Sequence, residues 1–204
     1  MKQVAAILLA AGRSERMGAF KPLLPFGDST VIESCIDYLR QGGVDEIVVV
    51  VGHRGGDIRK HLQGLPIKFA INPDPASEMG VSIACGVKVL TPGVEAILIA
   101  LVDHPAISPA VVITLVSEWR KGAHLVIPIT QNRGGHPVLV DLSFRQELLN
   151  LDSSRGLKGL FENHRDEVIR VPVKSPYIDR DMDTWDDYSS LHKEVFGKRP
   201  PSPF

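Results

Sequence analysis

Leu8-Leu9-Ala10-Ala11-Gly12-Arg13-Ser14-Glu15-Arg16-Met17-Gly18-Ala19-Phe20-Lys21-Pro22-Leu23-Leu24 decides how the rest of the chain is read. The apolar run Val4–Ala10 ends in small residues and passes into a loop carrying Gly12, Ser14, Gly18, two arginines and a lysine. Small residues let a backbone approach a ligand closely and aim several N–H groups at one place, which suits a polyphosphate. Arg13, Arg16 and Lys21 add positive charge, arginine as a planar fork and lysine as a compact point. Two common phosphate loops are excluded by spacing. Five residues separate Gly12 from Gly18, and Lys21 is followed by Pro22, so the Walker pattern fails; no Gly-x-Gly-x-x-Gly opens a helix here.

The strand that feeds this loop, Val4–Leu9, reads as buried on both faces of a parallel sheet. Outward from it, strands alternate with helical patterns. Thr30-Val31-Ile32-Glu33 is a capping box, followed by one apolar helical face (Val31, Ile32, Cys35, Ile36, Leu39) that ends at Gly42-Gly43. Glu46–Val51 is a second buried strand, with a short helix near Asp57–Leu62 and a third strand at Ile67–Ile71. Asn72-Pro73-Asp74-Pro75 is a loop, and Met79, Ile83, Val87 and Leu90 fall on one helical face. Ala96–Val102 is the most apolar strand, ending at Asp103-His104-Pro105; Ser108-Pro109 caps a helix over Ala110–Arg120. Leu125–Ile129 and Pro137–Asp141 read as strands flanking a tip at Gln131–Gly135. Short helices near Phe144–Asn150 and Gly156–His164, a strand at Val168–Val173 and a helix opening at Thr184 complete the pattern. This alternation predicts a three-layer α/β sandwich on a mostly parallel sheet, with Val4–Leu9, Glu46–Val51 and Ala96–Val102 adjacent or nearly so.

With 204 residues the chain supports a single domain over 1–196, and the proline-rich tail 197–204 is expected to be disordered. A net charge of −1 provides no basic field for nucleic acid. No apolar stretch reaches the length of a membrane span. Lys2 before an apolar run resembles a short signal sequence, but removing that run would delete the loop. Cys35 and Cys85 fall beside core positions and read as buried and reduced, which favours the cytoplasm.

Ligands of open α/β sheets bind beyond the carboxyl ends of the strands, where both the glycine loop and Asp103 fall. A carboxylate there can hold a divalent cation over a triphosphate; a strand-ending aspartate that caps the His104-Pro105 turn is the alternative. Asp181 and Asp183 raise the same choice, since both also suit the first turn of a helix capped by Thr184.

Leu9, Ala10, Ala11, Gly12, Ser14, Arg16, Met17, Gly18 and Lys21 match the pattern Leu-Ala-(Ala/Gly)-Gly-x-Ser-x-Arg-Met-Gly-x-x-Lys. The chain therefore resembles the MobA-like nucleotidyltransferases, with the molybdenum cofactor cytidylyltransferases nearest. Val51-Gly52-His53, Asn72-Pro73, Met79-Gly80-Val81-Ser82, Gly135-His136-Pro137-Val138 and Asp181-Met182-Asp183-Thr184 extend the resemblance over most of residues 3–190. It implies a Rossmann-like sheet of the nucleotide-diphospho-sugar transferase type and a Mg²⁺-dependent transfer of a nucleotide from a triphosphate to a phosphorylated acceptor, molybdopterin foremost. Carried onto this sequence, Arg16, Lys21 and Asp103 become catalytic; Leu9 to Ser14, Gly18, Lys21, Asn72 and Ser82 bind nucleotide. His136 holds the acceptor, and Asp103 with Asp183 holds the metal. Ala11, where guanylyltransferases tend to have glycine, favours CTP over GTP. Asp103-His104-Pro105 replaces the more usual Asp-Met-Pro or Asp-Gln-Pro, and Leu151–Gly156 departs from Gly-Asp-x-Gly-Ala-Arg. These departures leave the acceptor open. Sugar-phosphate nucleotidyltransferases share the loop signature, and a non-catalytic carrier that hands a cofactor to a molybdoenzyme apoprotein would also bind nucleotide; a P-loop hydrolase is disfavoured by spacing.

Overall fold

The computed structural model describes residues 3–12, 17–74 and 77–201. Strand β1 (Gln3–Ala10) precedes a 3-10 turn at Lys21–Leu23, the two-residue strands β2 (Pro25–Phe26) and β3 (Ser29–Thr30), and helix α1 (Val31–Gln41). Next come β4 (Glu46–Val51), α2 (Gly55–His61), β5 (Lys68–Ile71), α3 (Met79–Lys88), β6 (Val94–Leu101) and α4 (Pro109–Arg120). The remaining elements are β7 (Leu125–Thr130), β8 (Arg133–Gly134), β9 (Val138–Asp141), α5 (Arg145–Leu149), α6 (Gly156–Asn163), β10 (Val168–Pro172) and α7 (Trp185–Phe196).

The main sheet runs β10-β7-β9-β6-β1-β4-β5, with β8 folded back on the end of β7. β1 lies between β4 and β6, parallel to both, as the three uninterrupted apolar runs predict. β9 is antiparallel to both its neighbours. Chain order reverses direction at β1: β4 and β5 lie on one side, β6 and the later strands on the other. That reversal opens a crevice at the carboxyl ends of β1 and β6.

Alternation along each strand assigns the two faces. Val4, Ala6, Leu8 and Ala10 of β1 pack with α1, α2 and α4 through Ile36, Leu39, Ile58, Leu115 and Trp119. Ala5, Ile7 and Leu9 face α3, α5 and α6 through Ile83, Val87, Leu148 and Leu160. A third, smaller cluster packs α7 (Tyr188, Leu191) and Met182 on Met17, Leu24, Phe26 and Val31, and the Tyr188 hydroxyl donates to the Pro25 carbonyl. This last cluster folds the C-terminal helix back over the segment that follows the glycine loop.

Several local expectations need correction. Cys35 is buried, but Cys85 is only partly so, on the flank of α3 rather than its inner face. Met79 is 44 % exposed because it starts α3 at the open end of the sheet, before the helix has reached the core. The tip at Gln131–Gly135 contains β8, and α2 starts at Gly55 rather than Asp57, after Arg54 in the left-handed region (φ 55°).

One close contact ties the late strands to the C-terminal segment. A Cβ at Gly135 would lie 2.1 Å from the Ile178 carbonyl oxygen, and that oxygen accepts the His136 amide at 2.7 Å. Gly135→Ala is expected to destabilise the fold by about 2 kcal/mol through this overlap with backbone. Chemical denaturation checks it; a midpoint equal to wild type would show that the Ile178 segment yields freely.

Candidate functional site

Val102 donates its amide to the Leu9 carbonyl at 3.1 Å, so the chain leaving β6 starts beside the chain leaving β1. Asp103 and the Ala11-Gly12 loop therefore emerge into the same crevice. Lys21 reaches it from the 3-10 turn, 7 % exposed, and Asp183 reaches it from the segment that α7 anchors. The Lys21 ammonium lies 3.2 Å from Asp183 Oδ1 and 3.8 Å from Asp103 Oδ2. Three segments far apart in sequence thus deliver one cation and two carboxylates to one point.

Packing brings Asp183, and not Asp181, to Lys21. Met182 is fully buried under α7, which turns Asp183 toward Lys21 and leaves Asp181 exposed. Capping falls to another pair: Thr184 Oγ1 accepts the Asp187 amide at 3.2 Å, and Asp187 Oδ2 accepts the Thr184 amide at 2.8 Å. Asp183 is not needed for that role.

Asp103 does not cap its turn alone. His104 Nδ1 lies 2.8 Å from Asp103 Oδ1, and the His104 amide closes the turn on the Leu101 carbonyl at 3.2 Å. Burial would raise the Asp103 carboxyl, but the hydrogen bond and charge of His104, with the charge of Lys21, outweigh it and hold the group below its ordinary range. Asp103 stays ionised at neutral pH. His136 stands 5.8 Å from His104, ring centre to ring centre, with Nδ1 3.4 Å from the Ile99 carbonyl. A carbonyl only accepts, so Nδ1 carries the proton and Nε2 is left as an acceptor. Burial, aided by the neighbouring His104, lowers His136 to about 4, so it is neutral at pH 7.

Asn72 and Ser82 are both buried and bonded to each other, Nδ2 to Oγ at 2.8 Å. Asn72 also donates to Ser77 Oγ at 2.8 Å and accepts the Asp74 amide at 3.1 Å. They join the end of β5 to the start of α3 at the crevice side of the sheet. Their polar atoms are already engaged there, which suits shaping the loop more directly than touching a ligand. Leu9 and Ala10 are buried strand residues, Ala11 is half-buried, and Gly12 and Gly18 (φ 67°) are exposed. Arg13, Ser14 and Arg16 lie outside the described residues.

Sequence reasoning missed Arg54. Its guanidinium stands 4.3 Å over the Phe20 ring and pairs with Asp57 at 2.7 Å, clamping the turn after β4 to the residue before Lys21. Gly52 reinforces the join, since a Cβ there would lie 2.9 Å from the Ala11 carbonyl. Nothing in the run His53-Arg54-Gly55 marks this. Only the tertiary approach of two loops does.

Two carboxylates around one cation fit a magnesium-type ion, which uses one or two carboxylates and keeps the rest of its shell for water and phosphate. The lysine ammonium already shows that the two oxygens can share a positive charge. Among the described residues, no group of three or more histidine, cysteine or acidic side chains offers a closed metal cage. No described helix is long and apolar enough to cross a membrane.

Such a crevice at a topological switch point is where open α/β sheets bind their ligands. The chain belongs to the family of MobA-like NTP transferase domains, matched over residues 6–168. It is 32 % identical to nicotine blue oxidoreductase of Paenarthrobacter nicotinovorans over 150 residues, 70 % of this chain and 72 % of that one. Molybdenum cofactor cytidylyltransferase of Escherichia coli is 25 % identical over 191 residues, covering 92 % and 95 %. A bifunctional IPC transferase and DIPP synthase of Rubrobacter xylanophilus is 40 % identical over 107 residues; the match spans half of this chain and 24 % of that protein. The crystal structure of Rv0371c from Mycobacterium tuberculosis in complex with manganese superposes with a TM-score of 0.81 at 26 % identity, covering 95 % of this chain and all of that one.

Proposed function

We propose that this protein transfers a nucleotidyl group from a nucleoside triphosphate, CTP in preference to GTP, to a phosphorylated acceptor, molybdopterin foremost. The observation that carries the proposal is the convergence of Lys21, Asp103 and Asp183 beside a glycine loop at the sheet's switch point. A phosphate oxygen of the acceptor attacks the α-phosphorus; a new P–O bond forms as the bond to the β-phosphate breaks, and pyrophosphate leaves with the electron pair. The nucleophile is already ionised, so no general base is required. Positioning and charge carry the catalysis.

In this reading the loop amides from Ala10 to Gly18 bind the β- and γ-phosphates, with Leu9 as their strand support and Arg13 and Ser14 adding contacts. Arg16 and Lys21 meet charge on the α-phosphate and the leaving group. Asn72 and Ser82 shape the base and ribose side, and neutral His136 offers Nε2 to a donor on the acceptor. Asp103 and Asp183 would hold Mg²⁺, whose charge offsets that of the phosphate oxygens when bound. The manganese complex of Rv0371c supports a divalent cation in this fold. The 25 % identity to a molybdenum cofactor cytidylyltransferase along nearly the whole chain supports the acceptor. Two free cysteines suit a reducing cytoplasm, where the product would pass to a molybdoenzyme apoprotein.

The test is pyrophosphate release with each of four nucleoside triphosphates, paired with molybdopterin and with a panel of sugar 1-phosphates. Turnover with CTP and molybdopterin is expected. Turnover confined to a sugar 1-phosphate would make the protein a sugar-activating enzyme, and tight nucleotide binding without turnover would make it a carrier. The base preference rests on Ala11, whose methyl crowds a backbone that glycine would leave free for a purine. Calorimetric titration should give tighter CTP than GTP in the presence of Mg²⁺; the reverse order would remove Ala11 as the discriminator.

A further inference from the structure

Lys21 is an unusual residue to find buried. A lysine side chain is almost never enclosed unless its charge is paired, and here the pairing is with the two carboxylates assigned above to the metal. His104 engages Asp103 Oδ1, and Oδ2 is the oxygen that faces the ammonium. The ammonium therefore stands against the same oxygens that a divalent cation would take.

We propose that Lys21 is the resident counter-ion of the Asp103–Asp183 pair and gives up that place when a divalent cation binds. This rests on the metal assignment in the proposed function. Without a central positive charge, two carboxylates brought to one point repel each other, and the crevice would not keep its shape before the metal arrives. A lysine suits the interim task. Its charge is compact, its three donors rotate freely, and its four-carbon stem swings, whereas an arginine fork would be harder to dislodge. A doubly charged ion attracts the same oxygens more strongly and displaces the ammonium. The released side chain then meets the negative charge that the triphosphate brings to the neighbouring loop.

The exchange has an unusual sign. In nucleotide-free protein Lys21 opposes metal binding, although during turnover it assists the reaction. Removing the charge while keeping the length of the side chain should therefore strengthen metal binding. Titration of Lys21→Met with Mn²⁺ alone, followed by electron paramagnetic resonance of the free ion, should show affinity raised about tenfold or more over wild type. Lys21→Arg, which keeps the charge, should not gain affinity, and Asp103→Asn should lose it. As a readout that needs no variant, the side-chain ammonium signal of Lys21 in ¹⁵N-lysine wild-type protein should shift on adding Mg²⁺. Equal or weaker Mn²⁺ binding by a folded Lys21→Met protein, a Lys21 signal indifferent to Mg²⁺, or Mn²⁺ binding untouched by Asp103→Asn would overturn the exchange. Because metal alone is the probe, these outcomes are independent of the transfer assay. Failed nucleotidyl transfer with intact competition would refute the proposed activity and leave the exchange standing.

Discussion

Asp103→Asn is expected to bring pyrophosphate release below detection at an unchanged melting temperature. The position lies one residue beyond the Val102–Leu9 bond that fixes the mouth of the crevice, and its carboxylate is kept ionised there. Asparagine keeps the size and retains an oxygen that can accept from His104, so the turn that closes on Leu101 survives. The anionic oxygen facing Lys21 is what disappears, and a hard cation prefers that oxygen. A purely structural Asp103 predicts the opposite result, activity largely kept, because asparagine can hold the turn. Measuring Mg²⁺ dependence alongside thermal melting separates the two. Retained activity with a normal Mg²⁺ requirement would shift the ligand to Asp183.

Lys21→Ala is expected to lower kcat by about 10²–10³-fold, with a smaller rise in KM. A charge placed to meet the leaving pyrophosphate contributes more in the transition state than in the bound ground state. The burial of Lys21 adds a second consequence, because the alanine leaves both carboxylates without their shared cation. Some loss of thermal stability should therefore accompany the loss of rate, and added Mg²⁺ should recover the stability without recovering the rate. A near-normal kcat would reduce Lys21 to a structural counter-ion. A rise in KM alone would make its role uniform binding.

The central strands were legible because a strand covered on both faces has no polar period to obscure it; Ala5–Leu9, Ile47–Val51 and Ala96–Ala100 are essentially solvent-free. The α1 start was equally readable, since Thr30 and Glu33 must be three apart to cap each other. The hairpin of β2 and β3 was not read, because two-residue strands carry no periodicity; its one local mark is the Gly27-Asp28 turn, with Gly27 at φ 67°. The site divides in the same way. Lys21 and Asp103 stood out by motif and strand position, and Asp183 by the resemblance alone; that Asp183 meets Lys21 could be seen only with Met182 buried under α7. Arg54 was invisible because its partner, Phe20, belongs to another loop. His104 could have been found, since a histidine directly after a strand-ending aspartate is placed to bond it.

The separation of 162 positions between Lys21 and Asp183 carries a consequence for synthesis. A ribosome that has finished β1 through β10 has made every layer of the sandwich, yet only one of the two carboxylates around Lys21. The second arrives with the segment that α7 fastens down, after every strand of the sheet. A nascent chain would thus complete its sheet before Lys21 could meet both of its carboxylate partners.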